Sequence, residues 1–143
     1  MQRTLILCKP DAMKRRLGGE VISRLEKCGL KVIAMRMLWM NEALAKRHYD
    51  IHTDKPFFSD LVKYITSGPI IAAAFEGENA IAVARDAMGA TDPAKAATGT
   101  IRGDLGENIE RNVVHGSDSE ENAAIEIANF FKTEEIFDYP TES

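Results

Sequence analysis

The chain has 143 residues, of which 45% are hydrophobic and 28% are charged, so we expect a single domain over residues 1–143 that needs no disulfide or structural metal. Its formal net charge is −4, and residues 104–143 hold eleven acidic and two basic side chains, which argues against a protein that binds nucleic acid. No apolar stretch has the length of a signal peptide's apolar region or a transmembrane helix, so we expect no membrane association.

The first half of the chain alternates strand-like and helix-like patterns. The apolar run at residues 3–8 predicts a buried strand. After the break at residues 18–19, residues 20–28 keep helical spacing and end before a glycine. Residues 30–39 predict a second strand, and residues 41–51 predict a helix that is capped by its first residue, an asparagine.

The middle of the chain predicts two more helices and one strand. Residues 56–67 form a helical segment opened by a proline, and residues 70–75 predict a buried strand. Residues 79–88 predict a helix with Asn79 as its N-cap. Residues 90–111 show no periodicity, and because a loop of that length in a compact domain is usually functional, it is a candidate for the site.

His115 follows Val113 and Val114, two β-branched residues that predict a short strand, and Ser119 is the expected cap of a helix to Phe131. An imidazole beside a helix N-terminus is well placed to meet a phosphate. The same position also suits a hydrogen-bonded structural histidine, so these residues alone leave both roles open. The order β-α-β-α-β-α-β predicts an α+β fold with one sheet covered by helices.

The two cysteines indicate a reducing compartment. Cys8 lies in the first apolar run, and Cys28 has helical spacing with Val21 and Leu25, so we expect both thiols to be buried. Neither belongs to a C-x-x-C pair, although the sequence leaves a disulfide between them open. We therefore expect a cytoplasmic protein.

The common nucleotide and metal motifs are absent from the sequence. Residues 89–95 lack the spacing of a P-loop, and no predicted strand is followed by G-x-G-x-x-G. His48 and His52 are four residues apart but lack the glutamate of H-E-x-x-H. We interpret this pair as structural or surface residues rather than metal ligands.

Seven short segments together resemble the nucleoside diphosphate kinase family in order and in spacing. They are KPDA (9–12), HxDKPFF (52–58), TSGP (66–69), EGENAI (76–81), RDAMGATDP (85–93), GTIRGD (99–104) and NVVHGSD (112–118). The resemblance extends from Thr4 to about Tyr139. Lys55 and Met13 are mild departures that fall on no catalytic position.

The resemblance implies a ferredoxin-like β-α-β-β-α-β fold, an α+β sandwich with an antiparallel four-stranded sheet covered by helices. It implies an enzyme that transfers the γ-phosphate of ATP or another nucleoside triphosphate to a nucleoside diphosphate, by a ping-pong mechanism through a phosphohistidine at His115. An imidazole with its ordinary pKa of about 6.5 is largely neutral at pH 7 and can attack without a separate base. Mg²⁺ held mainly by nucleotide phosphates is implied as cofactor, and a homo-oligomer, either a tetramer or a hexamer, is implied as assembly.

The resemblance also implies roles for individual side chains. Those that would bind phosphates and ribose are Lys9, Tyr49, Arg85, Thr91, Arg102 and Asn112. Phe57 would stack on the base with Ile109 on its other face, and because every base has a π-face, this predicts broad nucleotide specificity. Glu126 would hydrogen-bond the His115 ring and fix its tautomer, with Ser117 in support.

Two other functions stay open on the same fold. A nucleotide-binding scaffold would be expected to have lost His115 or a phosphate-binding residue, and this chain has them all. A protein-histidine phosphotransfer or signalling module would use the same phosphohistidine, and the sequence does not separate that role from an additional activity.

Overall fold

The computed structural model of this chain describes residues 1–49 and 55–142. Within them lie four strands, β1 (Gln2–Cys8), β2 (Lys31–Leu38), β3 (Ile70–Gly77) and β4 (Val114–Gly116). The α-helices there are α1 (Pro10–Lys14), α2 (Gly18–Lys27), α3 (Glu42–His48), α4 (Phe58–Ile65), α5 (Ala80–Met88), α6 (Ile101–Leu105) and α7 (Glu120–Phe130). None of these helices is both long and apolar enough to cross a membrane.

The four strands form one antiparallel sheet in the order β2-β3-β1-β4. Helices connect β1 to β2 and β3 to β4, so the expected ferredoxin-like fold is confirmed. The short strand β4 pairs with the inner strand β1, and His115 lies opposite Leu7 in that pairing. The candidate nucleophile is therefore carried by a strand that is anchored to the middle of the sheet.

Helices cover both faces of the sheet. Because side chains alternate along a strand, Leu5 and Leu7 of β1 belong to one apolar cluster, and Ile6 and Cys8 belong to the other. The first cluster packs against α3, α4 and α7, and the second packs against α1, α2, α5 and α6. The sandwich predicted from the sequence thus has two cores that share one sheet.

Helix caps explain where several elements begin. Asn41 accepts a hydrogen bond from the backbone N–H of Leu44 at the start of α3, and Ser119 accepts one from that of Asn122 at the start of α7. Both caps were expected from the sequence. The cap expected at Asn79 is wrong in its detail, because this residue has a left-handed φ of 51° and its side chain makes no cap hydrogen bond. The expected helix after it is present.

Cys28 is exposed, although its spacing along the sequence predicted a buried thiol. Its spacing from Leu25 suggested burial, but α2 ends at Lys27 and Cys28 is the C-cap, so the chain leaves the apolar face there and the thiol is exposed. Cys8 is buried as expected, and burial raises the pKa of its thiol to about 12. Both cysteines are free.

The segment 90–111 is more ordered than its lack of periodicity suggested. It contains a 3₁₀ turn at Pro93–Lys95 and the helix α6, capped by Asp92 and Thr100 respectively. These short turns are held by side-chain caps rather than by an amphipathic face, so no periodic pattern marks them in the sequence. The following strand begins at Val114 rather than at Val113, because Val113 has a left-handed φ of 76°.

Candidate active site

A cleft of about 460 Å³ opens beside the end of β4. All of the residues that the resemblance assigns to catalysis and to nucleotide binding line it, and so does one of the two supporting residues: His115, Lys9, Tyr49, Phe57, Arg85, Thr91, Arg102, Ile109, Asn112 and Glu126. Ser117, the other supporting residue, is buried behind the lining, where it contacts Glu126. Side chains that are far apart in the sequence therefore meet in one cleft.

The His115 imidazole is oriented by a carboxylate. Its Nε2 atom lies 3.0 Å from Oε1 of Glu126, and the Ser117 hydroxyl donates a 2.7 Å hydrogen bond to the same oxygen. The Ser117 hydroxyl in turn accepts a 3.0 Å hydrogen bond from the backbone N–H of Leu5. Because an ionised carboxylate only accepts hydrogen bonds, this contact favours the neutral tautomer of His115 with its proton on Nε2 and its lone pair on Nδ1.

The backbone before His115 is held from the other end of the chain. The N–H of Val113 donates a 3.0 Å hydrogen bond to Oδ2 of Asp11, and the N–H of Lys9 donates one of 2.9 Å to the carbonyl of Val113. The second oxygen of Asp11 accepts a hydrogen bond from the Tyr64 hydroxyl. Val113 is β-branched and has a left-handed φ, a strained combination that persists only where the surroundings hold it. The hydrogen bonds with Asp11 and Lys9 hold Val113 in this conformation.

Lys9 and Asn112 form a buried polar contact in the cleft. The Lys9 ammonium donates a 2.8 Å hydrogen bond to Oδ1 of Asn112 and one of 3.0 Å to the carbonyl of Glu110. The Asn112 amide donates a 3.0 Å hydrogen bond to the carbonyl of Thr91. Burial lowers the pKa of Lys9 to about 8, although the nearby Asp11 carboxylate opposes the shift. A desolvated cation of this kind is suited to pairing with a phosphate.

Arg102 is a second buried cation in the cleft. Its guanidinium donates hydrogen bonds of 3.1 Å to the carbonyl of Gly89 and 2.8 Å to that of Val114, and its Nε atom is buried with no hydrogen-bond partner among the residues that the structure describes. Burial, and secondarily the charge of Arg85, lowers the pKa of Arg102 to about 10. The two arginines lie close enough to repel each other, and a bound anion would relieve that repulsion.

The mouth of the cleft offers apolar surface. Phe57 and Ile109 both line it and remain 46% and 59% exposed, which leaves their side chains accessible to a planar ligand. Tyr49 lies deeper, and burial raises the pKa of its phenol to about 12. The Tyr49 hydroxyl therefore stays neutral at physiological pH and can donate a hydrogen bond.

His48 is a cleft residue that the sequence analysis missed. Its ring packs edge-on against His115, with centroids 4.6 Å apart and planes at 81°, and it also touches the rings of Tyr49 and Phe130. The sequence spacing pairs His48 with His52, which lies outside the described residues. Its position directly before Tyr49, which the resemblance assigns to the site, is the signal that could have identified it.

Comparisons with known proteins identify the family of this chain. The model of the nucleoside diphosphate kinase family matches residues 2–136. A nucleoside diphosphate kinase of Dehalococcoides mccartyi is 61% identical over 139 residues, covering 97% of this chain and 98% of that protein. One of Archaeoglobus fulgidus is 55% identical over 139 residues, covering 97% of this chain and 92% of that protein.

Two solved structures share the fold. The structure of a halophilic nucleoside diphosphate kinase from Halobacterium salinarum in complex with CDP has a TM-score of 0.95 at 45% identity, over 99% of this chain and 94% of that one. A nucleoside diphosphate kinase family protein from Babesia bovis has a TM-score of 0.95 at 42% identity, and the match covers 99% of this chain and 95% of that one. The chain therefore belongs to the nucleoside diphosphate kinase family and is a nucleotide-binding kinase of that family.

Proposed function

We propose that His115 is the nucleophile and that it carries the phosphoryl group between a nucleoside triphosphate and a nucleoside diphosphate. The contact from Nε2 of His115 to the Glu126 carboxylate carries this proposal. It holds the proton on Nε2 and directs the Nδ1 lone pair as the attacking group. Ser117 fixes the carboxylate, so the imidazole is oriented before a nucleotide binds.

The proposed reaction has two half-reactions. In the first, Nδ1 forms a bond to the γ-phosphorus of the triphosphate, the bond from that phosphorus to the bridging oxygen breaks, and the diphosphate leaves with the electron pair. In the second, a terminal β-phosphate oxygen of another diphosphate attacks the phosphohistidine, and the nitrogen–phosphorus bond breaks. The Nδ1 lone pair returns to His115, so the enzyme is regenerated without a net proton transfer.

The cations of the cleft would stabilise charge on the transferring group. Lys9, Arg85 and Arg102 line the cleft together, and two of them are buried, so their fields are screened less than those of surface side chains. Thr91 and Tyr49 add hydroxyl donors, and Asn112 would bind ribose or phosphate. Phe57 and Ile109 would hold the base between them, which supports broad nucleotide specificity.

The donor set fits a magnesium ion that arrives with the nucleotide. The cleft is rich in cations, and two carboxylates are found among its described lining residues: Glu126 is bound to His115 and Ser117, and Asp118 receives a hydrogen bond from the Asn122 amide. Nucleotide phosphates would therefore hold the ion, and Asp118 is the one of these two carboxylates that could reach it through water. When bound, Mg²⁺ supplies charge neutralisation at the phosphates.

We also propose that the protein is a homo-oligomer, a tetramer or a hexamer, in the cytoplasm. The edge strand β2 and the residue after it expose Met35, Met37 and Trp39, an apolar surface of the kind that partner subunits cover. The free thiols Cys8 and Cys28 suit a reducing compartment. Light scattering of the purified protein measures the assembly directly, and a monomer would contradict this part of the proposal.

A labelling experiment tests the nucleophile. Incubation with labelled ATP and Mg²⁺ should leave an acid-labile, base-stable phosphate on the protein, and added GDP should remove it as GTP. His115→Ala should abolish the label, and His52→Gln, the matched control, should retain it. A label that persists in His115→Ala would show that another residue carries the phosphate.

A further inference from the structure

The catalytic imidazole lies within a cluster of possible metal ligands. In the described part of the chain, ligand atoms of His48, His115 and Glu126 all lie within 4.8 Å of one another. Two imidazoles and one carboxylate are a ligand set that zinc uses in proteins, with a fourth position left for water or substrate. We propose that His48, His115 and Glu126 form a site for Zn²⁺ or a similar late first-row divalent cation, which holds the nucleotide-free enzyme in an inactive state.

One pair of ligand atoms in the cluster already has nearly the separation that a metal requires, and the whole set lies within 4.8 Å. Nε2 of His115 and Oε1 of Glu126 are 3.0 Å apart, and two ligands of a tetrahedral zinc are separated by about 3.3 Å when each lies about 2.0–2.1 Å from the metal. Ser117 fixes the Glu126 carboxylate, and His48 is 92% buried against the rings of Tyr49 and Phe130. Outer contacts of this kind orient metal ligands and raise their affinity.

The same site discriminates against the magnesium ion that the kinase reaction uses. Mg²⁺ prefers oxygen ligands in an octahedral arrangement, whereas two of the three ligands here are imidazole nitrogens. The cations Lys9, Arg85 and Arg102 line the same cleft and repel a divalent ion, so we expect weaker binding than at a structural zinc site. A nucleotide carrying Mg²⁺ and a Zn²⁺ ion on the histidines would then compete for one cleft.

Zinc on either nitrogen of His115 would prevent attack on phosphorus. If Nδ1 binds the metal, the metal holds the lone pair that would form the bond to phosphorus. If Nε2 binds the metal, its proton moves to Nδ1, which then has no lone pair to donate. This inhibitory role rests on the proposed function of His115, whereas binding of the metal does not.

Calorimetry with ZnCl₂ on the nucleotide-free protein tests the site. The exposed thiol of Cys28 is a competing zinc ligand, so the measurements use a Cys28→Ser background. We expect one Zn²⁺ per chain and, in His48→Gln, an affinity at least about 10-fold lower, the lower end of the loss seen when even an outer contact of a metal ligand is removed. His52→Gln, the matched control, should bind as the background does.

The proposed site would be overturned if His48→Gln bound Zn²⁺ as tightly as the background protein. It would also be overturned if His52→Gln, rather than His48→Gln, lost affinity for Zn²⁺. If His48→Gln does not fold, Glu126→Gln replaces it with the same expected loss. For inhibition, phosphoenzyme formation from MgATP is followed at a buffered concentration of free Zn²⁺ that saturates the site. Zinc binding with an unchanged rate would overturn the inhibitory role, whereas failure of the proposed function would show as no phosphohistidine even without zinc.

Discussion

Nη2 of Arg102 donates a 2.8 Å hydrogen bond to the carbonyl oxygen of Val114, the residue directly before His115. The same guanidinium donates through Nη1 to the carbonyl of Gly89, at the end of α5. Arg102 therefore joins the end of α5 to the strand that carries the candidate nucleophile. Its position is fixed by these two carbonyl groups, so its charge is in place before the phosphate that we propose it binds arrives.

Arg102→Ala should lower kcat by a factor on the order of 10² to 10³, the usual loss when one preorganised donor is removed from a site of developing charge. Nucleotide affinity should fall less. Arg102→Lys should recover only part of kcat, because an ammonium cannot reproduce the planar fork. Steady-state kinetics measure both effects, with thermal unfolding as the control for the lost backbone contacts. A raised KM with unchanged kcat would mean that Arg102 contributes uniform binding only.

Glu126→Ala should slow phosphoenzyme formation by about 10- to 100-fold, the loss typical when the hydrogen-bond partner that orients a metal-binding histidine is removed. Glu126→Gln should recover part of this loss, because its amide oxygen can still accept from Nε2 of His115. Rapid-quench measurements with ATP give the rate directly. An unchanged rate in Glu126→Ala would contradict the orienting role of the carboxylate.

Ser117→Ala separates orientation from stability. The replacement leaves the backbone N–H of Leu5 buried without its acceptor, so the free energy of unfolding should fall by about 1–3 kcal/mol. Urea denaturation measures this change. The rate of phosphoenzyme formation should fall less than in Glu126→Ala, since the carboxylate remains; the reverse order would assign the orienting role to the serine.

Nucleotide affinity should fall as the pH rises through about 8, the value to which burial lowers the pKa of Lys9. Above it Lys9 is neutral and loses its attraction for phosphate. The measurement is kcat/KM for ADP between pH 7 and 9. Arg102 and Tyr49, with pKa values of about 10 and about 12, titrate above this interval. In Lys9→Gln, kcat/KM for ADP should be lower at every pH and should not change between pH 7 and 9. A decline of kcat/KM that persists in this variant would have to be assigned to another titrating group.

The stability contribution of Lys9 has the opposite slope. Its pKa is lowered from 10.5 to about 8 on folding, so between these values the unfolded chain binds more protons than the folded one. The free energy of unfolding therefore gains a contribution that rises with pH in this window and is smallest below pH 8. Denaturation of the natural chain and of Lys9→Met across the window should show this difference, and parallel curves would contradict it.

Bound ADP should protect two segments from hydrogen exchange, residues 90–111 and the described residues around Phe57. Both contribute to the cleft lining through Thr91, Arg102, Ile109 and Phe57. The start of α2 at Gly18 and Gly19 contributes nothing to that lining and is the internal control. Protection confined to the start of α2 would mean that the nucleotide binds elsewhere.

The sequence predicts the fold well where local patterns and packing agree. The apolar runs of β1 and β3 and the capping side chains of Asn41 and Ser119 mark elements that the structure contains. The spatial order β2-β3-β1-β4 depends on pairings between distant segments, which no local pattern encodes. The ferredoxin-like fold with its antiparallel sheet was expected only because the seven motifs resemble a family whose fold is known.

The resemblance named ten of the residues that line the cleft and the contact from Glu126 to His115. It did not reveal His48, because the ring contact between His48 and His115 depends on how α3 packs beside β4, which spacing along the chain does not show. The burial expected for Cys28 is wrong for a similar reason: the sequence keeps helical spacing up to Cys28, but α2 already ends at Lys27. The left-handed Val113 is held by Asp11, from a distant segment.

The contacts around the segment that carries His115 also limit when the proposed site can form during folding. Leu5 to Ser117, Lys9 to Asn112 and Asp11 to Val113 are hydrogen bonds across sequence separations of 112, 103 and 102 residues. Closing loops of this length costs chain entropy, which these contacts must outweigh. Because they join residues 5–11 to residues 112–117, a chain still emerging from the ribosome cannot form them, or the phosphate-transfer site that we propose, before the second segment has been made.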